Sequence, residues 1–315
     1  MSRGGARILL GRLAPLLGLV ILCVVLSLAS PHFLTADNLV NVLRQSSVNA
    51  LLALGQLVVI ITAGIDLSIG SILGLSSVAL AMQLRAGVPP LVAVAGTLLV
   101  GALVGLLNGL LLTRLKLPHP FISTLGTMNV ARGAAMILAA GVPISGLPEG
   151  FRVPFNGDLF GIPAAVIVVA TAGLIVHVLL ERTVYGRDLF AIGGNREAAR
   201  LAGVPVPSRL ELAYLVSGLM AAVASLVLAA RMNSGFPLAG TGAELDAIAA
   251  VIIGGASFFG GVGTVSGTLI GALFIGLLRN GLNLLDVSAY WQMIVIGVVI
   301  VAAVFVDVLR ARQGD

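Results

Sequence analysis

Two sets of carboxylates sit where the apolar sequence of this chain breaks. Asp66 lies within Gly64-Ile65-Asp66-Leu67-Ser68-Ile69-Gly70, between short apolar runs. Glu244 and Asp246 follow Gly240-Thr241-Gly242-Ala243 and open an unusually short apolar run, which closes in the glycine-rich stretch 254–263. A carboxylate inside an apolar run of membrane length is a functional candidate, for instance a proton relay. Beside glycine and serine the same group is a helix N-cap acceptor, and Asp66 with Ser68 fits that plainer role for the segment that follows. Glu244 and Asp246 read as caps at the outer start of their helix. Asn129 and Arg132 line an outer vestibule, or Arg132 simply snorkels toward headgroups.

Other chemistry is missing. His32, His119 and His177 are scattered singly, so no metal constellation is expected. Cys23 is the single cysteine and cannot form an intramolecular disulfide. No His/Asp/Glu cluster points to a catalytic site, and no G-x-x-x-x-G-K-S/T loop is present to hold a nucleotide. The expectation is a non-enzymatic chain without cofactor, whose energy comes from a gradient or from a partner. Asn, Ser, Thr and Gly, including Asn108, outnumber charge along the apolar runs, which suits a neutral, hydroxyl-rich substrate better than an ion.

The elements that position these residues follow from composition. Of 315 residues, 58% are hydrophobic and 10% charged, and 40 are glycine. Mean hydropathy is +1.12. A soluble fold cannot cover its surface with so few charges, and disorder needs the opposite balance. The net charge of +5 does not mark a nucleic-acid binder, because the basic residues do not cluster with aromatics on any soluble segment. The chain is an integral, all-α, polytopic membrane protein embedded in the lipid bilayer.

About 20 apolar residues cross a bilayer as a helix. Ten spans are expected, at roughly 13–30, 48–63, 67–84, 91–113, 121–140, 162–180, 210–230, 244–257, 266–282 and 290–309. Arg3, Arg7 and Arg12 before a run ending Ser27-Leu28-Ala29 resemble a cleavable signal, but that run is long enough to stay as a span. With both termini in the cytoplasm, Arg3, Arg7, Arg12, Arg114, Lys116, Arg182, Arg187, Arg196, Arg200, Arg209, Arg310 and Arg312 fall inside. Arg44, Arg85, Arg152, Arg231 and Arg279 fall outside, and this bias satisfies the positive-inside rule. Tyr290 and Trp291 read as an aromatic-belt anchor, and His177 as interfacial. The chain is taken as one transmembrane domain, 1–315, with an outer loop 141–161 and a cytoplasmic loop 181–209.

Backbone opened by glycine cannot face lipid, so the breaks at 64–70 and 240–263 must be buried in protein or line a cavity as broken or re-entrant segments. Gly101-Ala102-Leu103 with Asn108-Gly109-Leu110 recurs as Gly271-Ala272-Leu273 with Asn280-Gly281-Leu282. These copies fall in spans four and nine, which cross in opposite directions, as in a weak inverted repeat. Similar composition alone gives the same pattern.

Within the cytoplasmic loop, Gly193 to Gly203 reads as a short capped helix. Asn195 is the N-cap, Glu197 suits the first turn, Arg200 the last, and Gly203 the stop. Ala198, Ala199 and Ala202 leave a smooth face beside Leu201. Such a helix is either an ordinary loop helix or a helix-in-groove docking element.

Five stretches resemble the ribose-type family of ATP-binding-cassette importer permeases: Gly64–Gly70 (GIDLSIG), Phe121–Gly133 with Gly141–Ile144, Tyr185–Val204 (YGRDLFAIGGNREAARLAGV), Ala239–Gly255 (AGTGAELDAIAAVIIGG) and Gly267–Met293. The resemblance implies a multi-pass permease of the bacterial inner membrane, with about ten spans. It implies pairing with a second permease copy, docking on cytoplasmic ATPase subunits, and delivery of a monosaccharide by an external binding protein. It also implies that Gly194, Asn195, Arg196, Glu197, Ala198, Arg200, Leu201 and Gly203 couple to the ATPase. The solute then passes near the dimer axis beside Asp66, Ser68, Asn108, Asn129, Glu244 and Asp246. Two departures stand out: His119, where a small residue or proline is common, and Val262, where Lys or Arg is frequent. The competing class is a gradient-driven transporter using Asp66 as proton carrier.

Overall fold

A computed structural model describes the backbone of residues 3–312 and the side chains of residues 15–309. The orienting residues Arg3, Arg7, Arg12, Arg310 and Arg312 therefore have side chains outside the described set. Among the described residues there are thirteen α-helices and four two-residue strands. The order is α1 (Arg3–Ala29), α2 (Ala36–Ile60), α3 (Ile69–Arg85), α4 (Pro90–Arg114), α5 (Pro120–Leu138), β1 (Ile144–Ser145), α6 (Glu149–Asn156), β2 (Asp158–Leu159), β3 (Ile162–Pro163) and α7 (Ala164–Arg182). It continues with α8 (Val184–Gly194), α9 (Arg196–Leu201), α10 (Val206–Met232), β4 (Ser234–Gly235), α11 (Ala243–Ile253), α12 (Val265–Leu284) and α13 (Ala289–Arg312).

Seven of these helices, α2, α4, α5, α7, α10, α12 and α13, are long and apolar enough to cross a membrane. A helix lies under each of the ten expected spans, but α3 has 17 residues, α11 has 11, and the described apolar stretch of α1 is Pro15–Ala29, all too short for that class. The second span begins well before its apolar stretch. Thr35 caps α2 by accepting from the Asn38 N–H, and the polar turns through Ser47 continue the same helix. The loop 181–209 holds two helices rather than one, because the Gly193-Gly194 pair closes α8 instead of marking coil. The loop 141–161 also holds regular structure. β1 pairs with β4, β2 with β3, and Phe151 of α6 is buried beneath α10.

The centre of the bundle is the pair α2 and α10. Against α10 lie α3 and α4; against α2 lie α11 and α12. α5 covers α3, α7 covers α2, and α1 covers α12. The main core, built from residues such as Leu54, Leu57, Ile72, Val227 and Val251, is fully enclosed between these helices. Leucine and isoleucine elsewhere point outward, as expected where lipid is the solvent.

Candidate functional site

The break after α2 is a closed polar knot. Asp66 is wholly buried. Its Oδ1 accepts from the Ser68 N–H at 2.9 Å and from the Ser68 hydroxyl at 2.6 Å, and its Oδ2 accepts from the Ser217 hydroxyl at 2.8 Å. The Asn108 amide donates to Ser68 Oγ at 2.7 Å. Gln56 brackets the Asp66 backbone: with its amide oriented by that network, it donates to the carbonyl at 3.1 Å and accepts from the N–H at 3.2 Å. The capping expectation is corrected. Ser68 occupies the N-cap position of α3 but makes no side-chain cap, because its hydroxyl is committed to Asp66. Asp66 instead closes an Asx turn two residues on.

The second break meets the first. A methyl added at Gly70 would lie 2.2 Å from the Gly240 carbonyl oxygen and 2.4 Å from Oε2 of Glu244. Only two bare backbones fit there, and the Glu244 carboxylate stands over the first turn of α3, where a helix N-terminus favours negative charge. Glu244 and Asp246 do not cap α11, whose N-cap is Gly242 without a side-chain bond. Asp246 is gripped by Arg279 of α12 through both carboxylate oxygens, at 2.9 and 2.7 Å. Arg132 does not snorkel: its guanidinium donates to the carbonyls of Pro237 and Ala239, each at 2.7 Å. Asn129 stands apart from these residues, exposed on α5 and bonded only to its own helix at Leu125.

The short helix α9 forms as its sequence dictates. Asn195 ends α8 and caps α9, accepting from the Ala198 N–H at 2.9 Å. At the other end the Gly203 N–H bonds Arg200 and the Val204 N–H bonds Ala199, a Schellman closure that needs the positive φ of Gly203, 86°. Gly194, Asn195, Arg196, Glu197, Ala198, Arg200, Leu201 and Gly203 are exposed. Ala199 is not part of the outward face; it packs inward with Ile192, Leu210 and Tyr214. Arg200 bonds Glu197 and holds its carboxyl below the usual range. Behind α9, Arg209 bonds Asp188 at 2.7 Å, and burial lifts the Tyr185 phenol above its usual range.

This platform is seated on the end of α2. A methyl at Gly193 would lie 1.8 Å from the Ile61 carbonyl oxygen and 2.4 Å from the Gly261 nitrogen. The Gly261 N–H itself bonds Ile61 at 2.8 Å. Val262, beside that turn, is exposed, and His119 lines a hollow with Thr62, Asn195, Arg196 and Tyr214. Sequence reasoning missed Gln56, Ser217, Ile61 and the Asp246–Arg279 pair. Gln56 had a signal, a carboxamide in the middle of an apolar span, in register with Asn49 two turns earlier.

Comparison with known proteins adds the following. The family described as branched-chain amino acid transport system / permease component matches residues 38–304. The chain is 46% identical over 298 residues to the ribose import permease protein RbsC of Bacillus subtilis (strain 168), covering 94% of this chain and 92% of that protein. It is 41% identical over 294 residues to the D-allose transport system permease protein AlsC of Escherichia coli (strain K12), covering 93% and 90%. It is 37% identical over 311 residues to the galactose/methyl galactoside import permease protein MglC of the same strain, covering 93% and 92%.

Proposed function

We propose, from the premise that this chain belongs to the branched-chain amino acid transport system / permease component family, that it carries a small neutral sugar of the ribose type into the cell. It is the non-catalytic, membrane-embedded permease of a sugar importer of the ATP-binding-cassette class, and ATP is hydrolysed by a partner. The observation that carries the coupling reading is α9: a short, exposed helix, capped at both ends and seated by bare backbone on the end of α2.

The residues 1–315 act as one transmembrane permease domain. The chain crosses ten times, α1, α3 and α11 joining the seven longer helices, with both termini in the cytoplasm. Support comes from the placement of Arg and Lys and from the position of α9 at the end of α2 opposite Arg44. An inverted repeat relating α2–α5 to α10–α13 is supported by packing: α4 rests on α10 as α12 rests on α2, and α11 contacts both α12 and α13 as α3 contacts both α4 and α5. Two copies pair. Support for this is the α5 face carrying Gly126, Asn129 and Gly133, where a methyl added at either glycine would meet no atom of another segment within 4 Å. Small residues on such a face let helices of two chains approach closely. An external sugar-binding protein delivers the solute, which passes beside Asp66, Ser68, Asn108, Asn129, Glu244 and Asp246. Closure of the ATPase pair moves the two α9 helices and biases inward against outward states, through contacts that differ between them.

The test is uptake into proteoliposomes. The permease with its ATPase subunit and binding protein accumulates labelled ribose, allose or galactose only with ATP on the α9 side. Uptake by the purified permease alone, driven by an imposed proton gradient, overturns the reading.

A further inference from the structure

Among the described residues, eight buried side-chain polar atoms lack a hydrogen-bond partner: Ser46 Oγ, Asn49 Nδ2 and Oδ1, Ser76 Oγ, Asn108 Oδ1, Arg152 Nε, Thr268 Oγ1 and Arg279 Nε. Four of these atoms belong to three residues, Ser46, Asn49 and Arg279, that line a single cavity. The cavity measures about 250 Å³. It lies between the middle of α2, the last turns of α10, the second half of α12 and the start of α11, and none of the residues of the α9 platform lines it. Its polar wall is Gln45, Ser46, Asn49, Arg231, Asp246 and Arg279, over an apolar floor that includes Leu52 and Leu73. One water needs roughly 10–15 Å³ of such space, so a small organic molecule fits.

We infer that this cavity, inside a single permease copy, is a binding station for a small neutral polyol. The inference rests on the sugar-import reading above and goes beyond it, because it puts a solute site within one protomer. The chemistry of the wall selects the ligand. Asn49 offers an unmatched donor and an unmatched acceptor from one carboxamide, and Ser46 offers a hydroxyl. An anion only accepts hydrogen bonds, so it would leave the Asn49 oxygen unmatched and would face the Asp246 carboxylate. A hydrophobic ligand would leave every one of these groups unmatched, at a cost for each buried group. A hydroxyl both donates and accepts, and a ring of hydroxyls matches carboxamide, carboxylate and guanidinium together. Asp246 and Arg279 hold each other, so the pair brings no net charge, and Arg231 remains the one cation on the wall without an ion pair among the described residues.

The test uses the full chain in lipid nanodiscs, without ATPase or binding protein. Gln45→Cys is introduced on a Cys23→Ala background, and the rate of thiol modification by a charged methanethiosulfonate reagent is read. Saturating ribose, allose or galactose slows modification at least threefold, and the same concentration of leucine does not. Asn49→Leu removes the protection while the thermal transition stays in place, and it lowers sugar uptake by the complete transporter about tenfold. Protection by leucine, or by none of the sugars, overturns the inference, as does full protection in Asn49→Leu. If the complete transporter imports sugar while protection is absent, the station fails and the import reading stands. If the complete transporter imports no sugar, the import reading itself fails.

Discussion

Ser217 on α10 donates its hydroxyl to Asp66 at 2.8 Å, across 151 residues of sequence. That single bond ties the break after α2 to the middle of the helix paired with it. Every donor around Asp66 is neutral: two serine hydroxyls and one backbone N–H. The carboxylate is thus a hub for turn geometry, enclosed on all sides.

Asp66→Asn should keep most ATP-driven uptake, because the serine hydroxyls can turn to accept from the new amide. Asp66→Ala leaves both hydroxyls and the Ser68 N–H without their acceptor, at about 1–3 kcal/mol for each such group. Thermal unfolding in nanodiscs should show a lower midpoint for the alanine variant and a near-normal one for asparagine. Loss of all uptake in a well-folded Asp66→Asn protein would instead make the carboxyl a proton carrier.

Gly240→Ala should lower stability by about 2–4 kcal/mol. It combines a positive φ of 72° with a methyl 2.5 Å from the Gly70 carbonyl oxygen, and strain and overpacking each cost about 1–3 kcal/mol. The yield of folded protein on size exclusion reads this directly. A variant as stable as the parent would show that the two breaks separate without penalty.

Glu197→Trp changes an exposed side chain and should leave the unfolding midpoint within about 1 °C, since surface changes stay near ±0.5 kcal/mol. Co-purification with the ATPase subunit should fall at least tenfold. Asn195→Ala removes the α9 cap, about 1 kcal/mol of local helix stability, and should weaken association less. Normal association of Glu197→Trp removes α9 from the interface.

The Glu197 carboxyl sits below its ordinary pKa because Arg200 donates to it. Its folded pKa lies under the unfolded value, near 4.3, so its contribution is complete above that value and fades as pH falls through the lowered one. Association with the ATPase should therefore not change between pH 6 and 8 on account of this pair. Comparing the parent with Glu197→Gln by surface plasmon resonance over that range should give parallel profiles; a divergence would place the titration at neutral pH.

Asn129→Cys on a Cys23→Ala background should form a dimer under mild oxidation, since Asn129 faces away from its own bundle between Gly126 and Gly133. Disulfide formation needs Cα atoms within about 7 Å, so a cysteine at Val178, on the exposed face of α7, serves as the negative control. Equal cross-linking at both positions points to collision rather than pairing.

Helical segments and the caps of α9 were legible because each depends on local order. Apolar length marks the spans; Asn195 and Gly203 bracket the six residues of α9. The start of α2 was hidden, since polar residues 37–47 look like loop until Thr35 is seen to cap them. α8 was hidden by the paired glycines at its end. The partnerships of Asp66 with Ser217, Asp246 with Arg279, and Arg132 with Pro237 and Ala239 depend on how helices stack. Their members lie far apart in sequence, so no spacing rule announces them, and Ala199 turned inward for the same reason.

Where α8, α2 and the 254–264 turn meet, at Gly193, Ile61 and Gly261, no side chain stands between the three backbones. Side chains can hop between rotamers and absorb small displacements, whereas backbone touching backbone has almost no slack. A displacement of the end of α8 by a fraction of an ångström is therefore passed to Ile61 rather than absorbed by side chains. Only four residues separate Ile61 from Asp66. Any displacement of this platform is geared, without play, to the point where the first of the two breaks begins.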